Sequence, residues 1–240
     1  MKHETRGDAA WITIDRPEKA NALSQEMLEE TTTLLGSAGE NDEVRAVVLT
    51  GTGDTFCAGA DIDAVADADE EAARGFAESL TELLIKIETL DVPVVAAVNG
   101  AAYGAGFELV VASDLAVAAD DANLCMPATK LGLTPPLTPD RVADVGGKKR
   151  ASELALTGEP IDAEEAARWG VVNRAVAPEE LEDAVERFVS SVAETDREAT
   201  RLTKERISSP RASYDEIRDS IQERFASEEA NEGFRDAADR

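Results

Sequence analysis

Hydrophobic and polar positions along the chain follow two periods. Short apolar or β-branched runs at 9–15, 44–50, 92–98, 115–118 and 124–126 read as strands. Between them, apolar residues recur at helical spacing. Ser24 is placed to cap a helix over 25–35, with Glu26, Met27, Leu28 and Leu35 consistent with an amphipathic face. A long helix is expected over 69–89, where Phe76, Leu80, Leu83, Leu84 and Ile87 share one side. A small-residue helix follows at 104–112. From about residue 139 the pattern turns helical, with helices at 148–156, 163–169, 178–194, 198–207 and 214–226, a last piece from 228, and one short strand at 171–176. Strand–helix units followed by a helical tail give an α/β core with an all-helical C-terminal region.

Charge narrows the picture. The 240 residues hold 50 Asp and Glu against 24 Lys and Arg, a net charge of −26. No basic face of that chain can hold nucleic acid or an anionic membrane, so neither is expected as a partner. Strong Val, Ala and Leu runs exclude the composition of disorder. Only seven of the basic residues are Lys. Acid-rich, Lys-poor chains are the style of salt-adapted cytoplasms, so the charge is read as solvation and habitat rather than chemistry.

Titratable chemistry is sparse. The single histidine, His3, lies at the N-terminal end, which argues against a His-based triad and a poly-His metal site. Cys57 and Cys125 both sit beside apolar residues and read as buried thiols in a reducing compartment. No segment has the apolar core of a signal peptide or the roughly 18 apolar residues of a membrane span. A soluble cytoplasmic protein without metal or cofactor is expected.

Two small-residue loops carry the candidate chemistry. One is Phe56-Cys57-Ala58-Gly59-Ala60-Asp61-Ile62; the other runs from Asn99 through Tyr103-Gly104-Ala105-Gly106-Phe107-Glu108 to Leu109. Small side chains let a ligand approach backbone closely. A helix starting near Gly104 would aim free N–H groups at that ligand. One N–H from each loop would make a two-donor oxyanion hole. Glu108, three residues beyond Ala105, lies on the same helix face and would reach a carbon beside the bound carbonyl. The same residues also fit a plain reading, in which the glycines serve packing and Glu108 is a structural carboxylate. Asp61 reads first as a helix cap. Trp11 and Trp169 read as core, Tyr103 as packing or as pocket wall. The basic triplet Lys148-Lys149-Arg150 reads as a solvated helix start.

These loops, with Arg16-Pro17-Glu18-Lys19-Ala20-Asn21-Ala22-Leu23-Ser24 before them, resemble the enoyl-CoA hydratase/isomerase (crotonase) superfamily. Downstream, Lys130-Leu131-Gly132-Leu133, Leu156-Thr157-Gly158 and Lys204-Glu205 keep the family's order. The resemblance implies a crotonase-like β-β-α spiral core over 1–190. It also implies a helical region over 191–240 that completes the site and a homotrimer or dimer of trimers. The implied ligand is an acyl-CoA thioester, with coenzyme A part of the substrate. By position, Ala60 and Ala105 supply the oxyanion-hole N–H groups, and Glu108 matches the first hydratase glutamate. Lys19, Ala20, Ala58, Asp61, Ile62 and Asp63 match the CoA-binding loops, and Arg240 falls near a late basic residue that meets the nucleotide.

One departure matters. Where family hydratases carry Pro-Glu, this chain reads Pro127-Ala128, and the loop after it is Leu133-Thr134-Pro135-Pro136-Leu137-Thr138-Pro139-Asp140. Asp140 and Thr134 are the candidate replacements for the missing second glutamate, unless both are plain loop residues and nothing replaces it. Hydration of a 2-enoyl-CoA is the leading reaction. Isomerisation, decarboxylation of a malonyl-type thioester and a catalytically weak CoA-binding scaffold are the alternatives.

Overall fold

The structure is a computed structural model that describes residues 1–61 and 70–208. Its large sheet contains β1 (Lys2–Arg6), β2 (Ala9–Ile14), β3 (Ala46–Gly51), β5 (Val94–Val98), β7 (Leu115–Ala119) and β10 (Arg174–Val176), in that spatial order. A smaller sheet orders β4 (Thr55–Cys57), β6 (Ala101–Tyr103), β8 (Asn123–Cys125) and β9 (Ile161–Asp162). Three times in succession, a large-sheet strand is followed closely by a short strand of the small sheet: β3–β4, β5–β6 and β7–β8. From β2 to β10 the large sheet is parallel, and only β1 pairs antiparallel.

Both faces of the central parallel strands β3, β5 and β7 are buried, which is why they read as continuous apolar runs. One face (Ile12, Ile14, Val47, Leu49, Val94, Ala96, Val98) belongs to the main core. It packs with α1 (Gln25–Glu40) and α2 (Glu70–Thr89) through Leu28, Leu35, Leu83, Leu84 and Ile87, and with α3 (Ala105–Ala112) through Phe107 and Leu109. The opposite face (Trp11, Val48, Val95, Ala97, Val117) is covered by Leu181, Ala184, Val185 and Val189 of the later helix 181–193. The remaining helices are α4 (Thr138–Gly146), α5 (Lys148–Thr157), α6 (Ala163–Trp169), α7 (Leu181–Ala193) and α8 (Arg197–Ser208). Lys204, buried on α8, fastens that helix to the core. It donates to the carbonyls of Ile87 (2.8 Å) and Val92 (3.2 Å) and pairs with Asp114 at 2.7 Å. Burial pushes both partners toward their neutral forms, and the pairing opposes it.

Several local expectations hold. Ser24 Oγ accepts from Met27 N at 3.3 Å and starts α1. Asp162 caps α6, which ends at Gly170 in the left-handed region, the residues the sequence assigns to a helix. Cys57 and Cys125 are buried free thiols, and burial pushes Cys57 up to about 12. Trp11 and Trp169 are buried, each with an arginine over its ring. Other elements differ. The helix 25–35 continues to Glu40, and the strand at 171–176 shortens to Arg174–Val176. β1, β4, β6 and α4 are additions. The expected helix 214–226 lies outside the described residues. Helix α7 crosses residue 190, and its apolar stripe finds its partner on the sheet of the same chain.

Candidate active site

The segment holding Lys19 and Ala20 is stitched to the one holding Ala58–Asp61. After a 3-10 turn (Pro17–Lys19), Ala20 and Asn21 adopt positive φ (50° and 58°), a conformation that non-glycine residues seldom take. Asn21, fully buried, holds it. Its Nδ2 donates to Thr52 O (3.0 Å) and Thr55 O (2.6 Å), and its Oδ1 accepts from Arg16 N (2.9 Å). Ala58 N then donates to Ala20 O (3.0 Å), Leu23 N to Gly59 O (2.8 Å) and Asp61 N to Leu23 O (2.9 Å). This one-residue parallel bridge leaves the Ala60 N–H pointing away from Leu23, because the bridging bonds come from the residues on either side of it.

Helix α3 begins beside that loop. Its first intrahelical bond is Glu108 N to Gly104 O (3.0 Å), so the N–H groups of Ala105, Gly106 and Phe107 are the free donors of its first turn. Two glycines allow the approach. Gly59 has φ +105°, and a Cβ there would meet Tyr103 O at 2.9 Å and Ala105 N at 3.5 Å. A Cβ on Gly106 would lie 2.2 Å from Cys57 O. The backbone just before Ala60 and the start of α3 are therefore in direct contact, a close packing that these two glycines permit.

Glu108 closes the first turn of α3 and is 1% exposed. Its carboxylate meets the start of α4. Oε2 accepts from Leu137 N and Thr138 N, each at 3.1 Å, and Oε1 accepts from the Thr138 hydroxyl at 2.9 Å. Burial raises Glu108 to about 7; the Thr138 hydroxyl and the two N–H groups hold it down, and Glu88 adds to the rise. A carboxyl group that titrates near neutrality can take and return a proton at little cost.

The other expected residues divide. Lys19, Ala20 and Ala58 are exposed along one edge of the stitched loops, and Ala60 is partly open. Asp61 is buried, with its carboxylate 2.6 Å from the Arg16 guanidinium. Whether Asp61 also caps a helix concerns residues 62–69, which lie outside the described residues, as do Ile62, Asp63 and Arg240. Ala128 opens a 3-10 turn and packs partly against the core. Thr134 and Asp140, the candidate substitutes for the second glutamate, are both exposed, and the side chain that bonds Glu108 is Thr138. Thr138-Pro139-Asp140 is a helix-start signal that locates the head of α4, though not its contact with Glu108. Arg150 of the basic triplet lies over Trp169, while Lys148 and Lys149 are exposed. A cavity of about 270 Å³ opens at the opposite, C-terminal end of α3, lined by Glu88, Asp114, Arg141 and Asn173 among others; it includes neither loop. Among the described residues, no cluster of His, Cys, Asp and Glu is arranged for a metal, and no helix is long and apolar enough to cross a membrane.

Comparison with known proteins decides the family. The sequence matches the family described as enoyl-CoA hydratase/isomerase over residues 4–235. This chain belongs to the enoyl-CoA hydratase/isomerase family. It is 34% identical to the short-chain-enoyl-CoA hydratase of Clostridium acetobutylicum over 206 residues, 85% of this chain and 79% of that one. A carnitinyl-CoA dehydratase of Escherichia coli is 40% identical over 196 residues, 75% of this chain and 70% of its own. The solved enoyl-CoA hydratase of Mycobacterium smegmatis shares the fold at a TM-score of 0.91 and 31% identity, covering 99% of this chain and 95% of that chain. The α/β architecture of this family member is thus the crotonase-like one expected from its sequence.

Proposed function

We propose that the chain is an enoyl-CoA hydratase that adds water across the double bond of a 2-enoyl-CoA with Glu108 as its proton-transfer group. The observation that carries this is the buried Glu108 carboxylate one turn from the free N–H groups that begin α3. In this reading the Ala60 and Ala105 N–H groups donate to the thioester oxygen, draw charge from the double bond and stabilise the enolate that forms. Water adds its oxygen to C3. Glu108 takes the proton from that water and returns it to C2, so the carboxylate is regenerated and the product is a 3-hydroxyacyl-CoA.

A second carboxylate would share this work. With Ala128 in its place, one group must serve as base and then as acid, and a pKa near 7 suits both roles. The exposed edge of Lys19, Ala20 and Ala58 is the proposed seat of coenzyme A, with Ile62, Asp63 and Arg240 completing it by their family positions. The same reading includes a homotrimer or dimer of trimers in a salt-rich cytoplasm, which light scattering in molar KCl would test: a stable folded monomer at micromolar concentration contradicts it.

The direct test offers crotonyl-CoA to the purified protein in high salt and identifies the product. Conversion to 3-hydroxybutyryl-CoA is expected. Consumption of none of a series of 2-enoyl-CoA thioesters would overturn the reading. The three hydrogen bonds on Glu108 would also suit an inert helix cap, and that outcome would favour the cap.

A further inference from the structure

We infer that Thr138 is a positioning residue for Glu108, its hydroxyl fixing which lone-pair position of Oε1 exchanges the proton. The inference rests on the reading of Glu108 as the proton-transfer group. An ionised carboxylate offers about four lone-pair positions. On Glu108 the two on Oε2 are taken by Leu137 N and Thr138 N, each at 3.1 Å. One on Oε1 is taken by the Thr138 hydroxyl at 2.9 Å. The Thr138 N–H also approaches Oε1, but at 3.4 Å, too long to compete with its bond to Oε2. The position left open is on Oε1, so protons enter and leave there, beside the hydroxyl.

This arrangement also ties Glu108 to the helix that carries Thr138. The hydroxyl is fully buried and bonds the charged form of the carboxylate, so it opposes the effect of burial. Of the charged groups on α2, Glu88 is the one that acts on Glu108. The other elements packed against α3 carry Asp140, Arg141 and Asp144 on α4, Cys57 on β4 and Tyr103 on β6. Glu88 raises Glu108, and Arg141 pairs with Glu88 at 2.6 Å. Cys57 stays a neutral thiol. Thr138 is therefore the side chain that holds the ionised form.

The test compares Thr138→Val, which keeps the branched shape without the hydroxyl, with Thr138→Ser, which keeps the hydroxyl. Thr138→Ala serves the same purpose if the extra methyl crowds the buried site. Two quantities are read: the pH profile of kcat/KM on crotonyl-CoA, and the carbon-13 carboxyl titration of Glu108, identified as the resonance missing from Glu108→Gln. Losing a hydrogen bond to a charged group should move both midpoints up by about one pH unit. Turnover below neutrality then falls about tenfold, with the high-pH plateau and KM little changed, and Thr138→Ser returns the midpoint to the wild-type value. An active wild-type enzyme whose midpoint does not move in Thr138→Val, or moves as far in Thr138→Ser, overturns the role of Thr138 and leaves that of Glu108 standing. A wild-type enzyme inactive on every thioester overturns the proton-transfer reading and this inference with it.

Discussion

Arg16 and Asp61 face each other at 2.6 Å, Nη1 to Oδ2, across the seam between the two loops that form one side of the candidate site. The Asp61 side chain is 9% exposed and the Arg16 side chain 26%, so the pair is largely shielded from water. It reinforces backbone bonds that already join Ala20 to Ala58 and Leu23 to Gly59 and Asp61. Arg16→Met should leave a buried carboxylate short of a partner and cost about 1–3 kcal/mol of stability. In a thioester assay it should raise KM several-fold while kcat changes little, because the seam lies under the proposed coenzyme A seat and not under Glu108. A large fall in kcat at unchanged KM would place the pair in the chemistry instead.

Stability should carry the signature of Glu108. Burial raises the group from its ordinary 4.5 to about 7, so between those values the folded chain binds a proton that the unfolded chain has released. Stability therefore falls as pH rises from about 4.5 to about 7, by about 3 kcal/mol from this one group. Glu108→Gln removes that slope. Its amide oxygen can accept the two N–H bonds, and its amide nitrogen can donate to the Thr138 hydroxyl. The variant should be more stable than wild type in denaturant titrations at pH 8 and lose that advantage near pH 5. Equal stability gaps at both pH values would mean that Glu108 titrates normally.

Salt is the third lever. A net charge of −26 repels itself within the fold, and molar salt shortens the reach of that repulsion to about 3 Å. The melting temperature should climb steadily from dilute buffer to molar KCl. A flat or falling curve contradicts the salt-adapted reading of the composition.

The missing second carboxylate can be put back. Ala128 is small and only partly buried, so Ala128→Glu has room to turn outward without breaking the core. If the site lost a shared base at this position, the variant should hydrate crotonyl-CoA faster than wild type. An unchanged or lower rate in a folded variant would mean that Glu108 and its α4 partners have replaced the pair fully.

Much of this architecture was legible in the sequence because its signals are local. The Ser24 cap, the Asp162-to-Gly170 helix and the doubly buried parallel strands each show a pattern within a few residues. The elements that were missed depend on distant partners. β4 and β6 span three residues each, too few for alternation, and exist because they pair with one another. β1 is exposed throughout and has no apolar signature. α4 begins at Thr138-Pro139, where proline reads as a loop signal but occupies an early helical position that needs no intrahelical donor. Small residues marked both loops of the site, and Glu108 was placed by helical spacing. Its partner Thr138 lies 30 residues away, and nothing in the spacing of either residue links them.

The central claim is that Glu108 moves the proton, and one variant measured two ways tests it most directly. Glu108→Gln keeps the shape and the hydrogen bonds of the carboxylate but cannot exchange a proton at neutral pH. Turnover of crotonyl-CoA should fall by about 10²–10⁴-fold, the range for losing a general acid–base group. Binding of a crotonyl-CoA analogue by calorimetry should stay within a few-fold of wild type. Full turnover in Glu108→Gln would contradict the account and leave the residue as a cap on α4.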